Sequence, residues 1–237
     1  MLISSYPKNQ ASVSMVRTTS KLENLLAENK VPASKISQDH LTIIEGNAKD
    51  PAAVSRVLQL TTVDIIVSGI GGAPTFSNPL KPGLEDPTIC EDATSTILSA
   101  LRDQPPARKP LFIVISTTGV SELARDVPLL MLPLYHWILP VAHKDKANME
   151  CLLVSEAAKP ADQACIRGFV AVRPSMLTNG PRLLGTETTV RAGTDANPAV
   201  GYTISRADVG AWIFEELIRE RADGGEKWVG EKVSITY

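Results

Sequence analysis

The chain has 237 residues, 43% of them hydrophobic and 21% charged, with a formal net charge of −2 at pH 7. That length suits one α/β domain, and the interspersed acidic and basic residues leave no basic stripe for nucleic acid and no polybasic arm for a membrane surface. Cys90, Cys151 and Cys165 are odd in number and lack metal-ligand spacing, so they read as reduced, packed thiols of an intracellular protein.

The opening MLISSYPKNQ breaks its apolar start after three residues, unlike a secretory leader, and the first ten residues read as irregular. Ala11 to Val16 alternates toward a strand, with Arg17 directly after it. Ser20 and Glu23 read as a capping box that opens a helix with Leu22, Leu25 and Leu26 on one face. Leu41 to Glu45 is the next strand, and Asp50 caps a helix that has Pro51 in its first position and Val54, Val57 and Leu58 facing inward.

VDIIVSGIGG, Val63 to Gly72, organises the chain. It reads as a fully buried strand ending in Ser68 and three glycines within four positions. A Pro/Gly-rich loop, long enough to fold over a site, follows up to Thr88. Ile89, Ala93, Ile97, Leu98 and Leu101 then hold helical spacing. LFIVISTTG (Leu111 to Gly119) is a second buried strand with small hydroxyl residues at its end.

The apolar run from Leu129 to Ala142 is too short and too broken by proline to cross a bilayer, and cytoplasm is the expected compartment. A helix is predicted from about Lys144 to Ala158, then the strand GFVAVRPSM. Met176 to Ala199 reads as irregular, Arg206 to Arg221 as a helix with Val209, Ile213 and Leu217 inside, and Lys227 to Thr236 as a terminal strand. Strands alternating with helices predict a single α/β domain over residues 1–237, a doubly wound parallel sheet of Rossmann-like type. Such sheets bind ligands at the carboxyl ends of their strands, here near Ser68, Ser116 and Arg173. Glycines 69 and 71 let backbone approach a ligand closely. His143 has the pKa range of a proton carrier, Pro174 stops its strand, and Asp208 sits where a helix dipole favours a carboxylate. His40 and His136 belong to no metal pattern.

The segments VRTTSKLE, GNAKDPAAV, DIIVSGIGG, FIVISTTGVS, HKDKANMECLLVSEA, VAVRPSMLTNGP and ISRADVGAW, in this order, resemble the atypical short-chain dehydrogenase/reductase superfamily and its NmrA-like NAD(P)-binding group. PLYHWILPVAHKDK is similar to fungal oxidoreductases of averufin-oxidase type. The resemblance implies that Arg17 meets a 2′-phosphate and selects NADP(H) over NAD, and that Asn47 contacts adenine. It places Ser68, Gly69, Ile70 and Gly71 along the adenosine. Lys146 matches the lysine that binds the nicotinamide ribose, while Ala142 stands where the superfamily has its tyrosine. Proton handling would then pass to His143, Tyr135 or Ser116, with Thr117, Arg173 and Pro174 near the nicotinamide. Residues of about 120–145 and 176–204 would face a small, aromatic or polyketide-derived substrate of secondary metabolism, with Met131, Leu134, Tyr135, Trp137 and Ile138 as an apolar wall.

One departure is large. The family opens with a strand, a Gly-rich turn and a helix, whereas only ten residues precede Ala11 here, too few for a parallel crossover. The fold is therefore expected to lack its usual first strand and helix. Two other readings follow: a non-catalytic NmrA-like dinucleotide sensor, favoured by Ala142, and a truncated inactive fragment, favoured by the short amino terminus.

Overall fold

The computed structural model describes residues 2–4, 12–31, 41–60, 62–75, 77, 82–185, 187, 189–219 and 226–237. Its elements in chain order are β1 (Leu2–Ser4), β2 (Ser12–Val16), α1 (Thr19–Glu28), β3 (Leu41–Glu45), α2 (Pro51–Gln59), β4 (Ile65–Ser68), β5 (Pro74–Thr75), β6 (Gly83–Leu84), α3 (Ile89–Asp103) and β7 (Leu111–Ile115). There follow α4 (Leu132–Ile138), α5 (Pro140–Ala157), β8 (Gly168–Pro174), β9 (Met176–Thr178), β10 (Arg191–Gly193), β11 (Thr203–Ser205), α6 (Arg206–Trp212) and β12 (Lys232–Thr236).

The chain forms two compact units whose segments alternate along the sequence. The first comprises Met1–Gly71, Thr88–Ile113 and Leu152–Gly168; the second comprises Gly72–Pro87, Val114–Cys151 and Phe169–Tyr237. In the first, strands run in the order β4-β1-β2-β3, with β2 and β3 parallel from Ser12↔Leu41 to Val16↔Glu45. Asp50 caps α2 by accepting from the Ala52 N–H at 3.0 Å, and Pro51 takes the first position, where a missing N–H costs nothing. Val54 and Val57 are then wholly buried, as is Ile97 on α3, where the i, i+4 spacing turns Ile89, Ala93, Ile97 and Leu101 to one side.

In the second unit the order is β10-β12-β8. β12 runs parallel to β8, Lys232↔Ala171 to Ile235↔Pro174, and β10 closes the edge antiparallel to β12. Every residue of β8 is buried, which its continuous apolar run foretold.

Several expectations are corrected. Residues 2–4 are not irregular: β1 pairs antiparallel with both β2 and β4, as in Ile3↔Val13 and Ile3↔Ile66. A short link suffices for an antiparallel pair but not for a parallel crossover, so the place beside β4 is filled by a strand of reversed direction and the sheet is mixed. The remainder of the first ten residues lies outside the described ones. Ser20 is not a cap; the helix begins at Thr19 after an extended Thr18, with no side-chain cap bond. α5 starts at Pro140, because proline is suited to a first turn. The expected irregular stretch after Met176 contains β9 and β10, and the terminal strand begins at Lys232, after a turn with Gly230 at φ +87. The last helix turns from α to π geometry over Ile213–Arg219. Cys90 and Cys165 are buried, but Cys151 is exposed on α5. No helix among the described residues is long and apolar enough to cross a membrane.

Glu156, 1% exposed, anchors the end of α5. It accepts from Arg102 Nη2 at 2.5 Å, Lys159 Nζ at 2.6 Å and the Cys165 N–H at 2.9 Å. Burial opposes its ionisation, yet these donors outweigh burial and lower its pKa from 4.5 to about 2. A depressed carboxylate stabilises the fold above its unfolded pKa and loses that contribution as pH falls through the folded one. Glu156→Gln should therefore cost about 2–3 kcal/mol in urea unfolding at pH 7, and should flatten the loss of stability between pH 4.5 and 2.

Candidate functional site

In the first unit the ends of β2, β3 and β4 surround a cavity of about 200 Å³, with Ile89 and Ala93 of α3 on its wall. Arg17 follows β2 and is exposed; Asn47 follows β3; Gly69, Ile70 and Gly71 follow β4. Gly46 is required by close approach: a methyl group there would lie 3.0 Å from Met15 Sδ and 3.3 Å from Ala53 Cβ. The chain then turns at Asn47, whose Oδ1 accepts from the Lys49 N–H at 3.0 Å, and Lys49 Nζ stands 2.9 Å from Asp92 Oδ2. Arg17 and Lys49 are charged residues on the cavity wall, and no carboxylate is among the described residues that line it. Arg17, Asn47, Gly69, Ile70 and Gly71 are brought together as the sequence suggested. Ser68 is not with them; it is 3% exposed, packed within β4. Lys49 and Met15 were missed, although Lys49 lies inside the recognised GNAKD segment.

In the second unit α5 presents His143, Lys146 and Glu150 at i, i+3 and i+7, so they share a face. Lys146 Nζ donates to the Ile115 carbonyl at 2.6 Å, at the carboxyl end of β7. The next residue, Ser116, is 5% exposed; its N–H donates to Val172 O at 2.6 Å. Its Oγ is buried with no partner among the described residues. Thr117 Oγ1 turns to the Thr118 carbonyl, and Thr118 Oγ1 lies 3.3 Å from the Tyr135 hydroxyl. Pro174 is buried, and its carbonyl accepts from the Thr118 N–H at 3.2 Å.

The Tyr135 and His143 rings stand 5.5 Å apart, tilted by 47°. His143 Nε2 is buried without a partner among the described residues. Burial, and then the nearby His136, lower the His143 pKa from 6.5 to about 4. Gly119, at φ +89, donates its N–H to Asp126 Oδ1 at 2.9 Å. Burial raises the Asp126 pKa, and its Oδ2 also lacks a partner among the described residues.

Arg173 is 2% exposed and engaged elsewhere than the sequence suggested. Nε and Nη2 bind Glu150 in a fork at 2.9 and 2.6 Å, and Nη1 binds Asp195, which also accepts from Ser121 Oγ. Burial works against the charge, but the two carboxylates hold Arg173 protonated. Of the expected apolar wall, Tyr135 is buried, whereas Leu134 and Trp137 are 37% and 55% exposed. Asp208 is wholly buried and takes the N–H groups of Leu183 and Leu184, the Ser205 hydroxyl and the Tyr237 hydroxyl. It is thus a first-turn helix carboxylate that also secures the segment after Pro181, a contact over 24 residues that no local pattern reveals.

The strand order and the carboxyl-end cavity define a Rossmann-like α/β protein of the dinucleotide-binding class. The NAD(P)H-binding family model matches residues 8–220, and the chain belongs to that family. It is 45% identical to Reductase pytE of Aspergillus terreus over 232 residues, covering 94% of this chain and 87% of that one. It is 36% identical to Oxidase pynE of Aspergillus niger over 259 residues, covering 95% and 89%. In fold it is similar to a wide-type short-chain dehydrogenase/reductase from Veillonella parvula solved with NADP, with TM-score 0.59, 12% identity and coverage of 95% and 94%. The oxidoreductase ylbE of Lactococcus lactis gives 0.57 at 14% identity, covering 94% and 89%.

A buried imidazole whose folded pKa is depressed favours the fold above its unfolded pKa and penalises it as the ring is forced to charge. The chain should lose stability between pH 6.5 and 4 for this reason. Thermal unfolding of His143→Phe across that window should show a smaller drop in midpoint than the unchanged chain.

Proposed function

We propose that this chain is an oxidoreductase that uses NADP(H), preferring it to NAD(H), on a small aromatic or polyketide-derived substrate of secondary metabolism. The observation that carries the reading is the first-unit cavity, in which Arg17, Asn47 and Gly69–Gly71 meet beside Lys49 with no carboxylate among the described lining residues. A nucleoside bearing an extra phosphate fits such a place. Arg17 supplies an exposed planar fork for the 2′-phosphate, and a Cβ at Gly71 would meet nothing within 4 Å, so backbone there is open to a ligand. Family membership and the reductase and oxidase relatives support the same reading.

When bound, the cofactor supplies or accepts the hydride. The chain's own part is placed in the second unit. Lys146, fixed by the Ile115 carbonyl, holds a positive charge at the end of β7 for the ribose. Ser116 offers a buried hydroxyl to a substrate oxygen. Ala142 cannot move a proton, so that step falls to Tyr135 or to His143, which is neutral at pH 7. Arg173 positions α5 through its fork with Glu150. The second reading, a dinucleotide sensor without turnover, is favoured by Ala142 alone.

Titration of the full chain with NADPH and NADH, followed by the fluorescence of Trp137, Trp212 and Trp228, tests the proposal. NADPH should bind more tightly, and Arg17→Ala should weaken it about 10- to 100-fold, since a hydrogen bond to a charged group is worth about 1.5–3 kcal/mol, while NADH changes little. Equal affinity for the two cofactors in both proteins would remove Arg17 from the site. NADPH consumption with a panel of aromatic carbonyls, abolished in Lys146→Met, separates enzyme from sensor; binding without consumption supports the sensor.

A further inference from the structure

The second unit contains a cavity that the dinucleotide reading does not use. It measures about 120 Å³ and lies among Gly119, Val127, Leu132, Tyr135, His136, Pro140 and His143. A larger one, about 340 Å³, adjoins it through the shared residues Gly119, Val127, Leu132 and His136. An apolar protein cavity of about 150 Å³ is enough to admit benzene, so the smaller space has the scale of a single six-membered ring.

Its walls suit such a ring. Valine, leucine and proline contribute saturated carbon, and the tilted Tyr135 and His143 rings contribute aromatic surface. The space depends on Gly119, where a methyl group would come within 2.8 Å of both His143 Cε1 and Tyr135 Cδ1. Three polar side chains interrupt the apolar lining, Tyr135, His136 and His143, and of these His143 has its Nε2 buried and without a partner among the described residues. An unsatisfied buried polar atom is costly, which is reason to look for the group that meets it. On the larger cavity Asp126 repeats the situation, with Oδ1 held by Gly119 and Oδ2 lacking a partner among the described residues.

We propose that the smaller cavity seats a hydroxylated aromatic ring, phenolic or enolic, whose hydroxyl bonds His143 Nε2 while the rest of the ligand extends into the larger cavity toward Asp126. A hydroxyl both donates and accepts, so it satisfies either imidazole tautomer. A carboxylate ligand is disfavoured, because it would leave water for a largely apolar space in which burial keeps the His143 imidazole neutral. The inference rests on the oxidoreductase reading only in taking the bound ring to be the substrate.

Ligand-observed NMR on the full chain, with phenol, benzene and benzoate as probes, tests the seat. Phenol should bind saturably and about 10-fold more tightly than benzene, the ratio expected from one net hydrogen bond, and benzoate should not compete. His143→Phe should bring phenol down to the affinity of benzene. Leu132→Trp, which narrows both cavities from their shared wall, should weaken both rings at least 10-fold while the melting curve stays cooperative. The proposal is overturned if phenol shows no preference over benzene, if that preference survives His143→Phe, or if Leu132→Trp binds as before. NADPH titration in parallel keeps the two readings apart. NADPH binding without phenol binding removes the ring seat alone, and phenol binding without NADPH binding keeps the seat and removes the oxidoreductase.

Discussion

The second unit is arranged around one constraint, a guanidinium taken out of water. Arg173 is 2% exposed at the end of β8, and it is tolerable there only because two carboxylates reach it. Glu150 comes from α5 and Asp195 from the segment after β10. Lys232 stands 3.8 Å and 3.9 Å from the same two acids. Removing one partner of such a buried pair typically costs about 3–5 kcal/mol. The pairing fixes the rotation of α5 against β8, and from that rotation follow the contact of Lys146 with the Ile115 carbonyl and the approach of His143 to Tyr135. The positions of Lys146, His143 and Tyr135 thus depend on where a structural charge must be neutralised.

On the proposed reading, Ala142 in place of a tyrosine changes what the remaining groups would have to do. On that reading Lys146 would still set ribose geometry, because its place depends on its anchorage to the Ile115 carbonyl and not on a neighbouring phenol. Proton movement is different. Burial keeps His143 uncharged at neutral pH, which makes it a poor acid but a competent acceptor or relay. Tyr135 already shares a hydrogen bond with Thr118. Such an arrangement would suit the proposed substrates, which bring their own acidic hydroxyl.

Much of this fold was legible because its signals are local. β3 occupies Leu41–Glu45 as the pattern predicted, and Asp50 and Pro51 marked the start of α2 through a cap bond and a missing donor. Arg17, Asn47 and Gly69 to Gly71 were legible for a related reason: each follows the carboxyl end of a strand. β1 was not, since three residues carry no periodicity and their pairing with β2 and β4 is purely tertiary. Ser20 looked like a cap because residue identity suggests capping, whereas capping is decided by the backbone angles of Thr18. Arg173 was placed at the cofactor by its neighbours in sequence, yet its partners lie 23 and 22 residues away. Asp126 and Leu132 gave no motif, and only the folded chain shows that they border a cavity.

Cys151 lies next to Glu150 in sequence but is exposed, while Cys90 and Cys165 are buried, the latter with a thiol pushed up to about 12. Only a thiolate attacks readily, so the three sulfurs differ sharply in reactivity toward an alkylating dye. The natural sequence consequently offers one address for a fluorophore or spin label, on the same helix as Lys146 and His143. A reporter attached there would follow that helix as ligands arrive, without any cysteine having to be introduced.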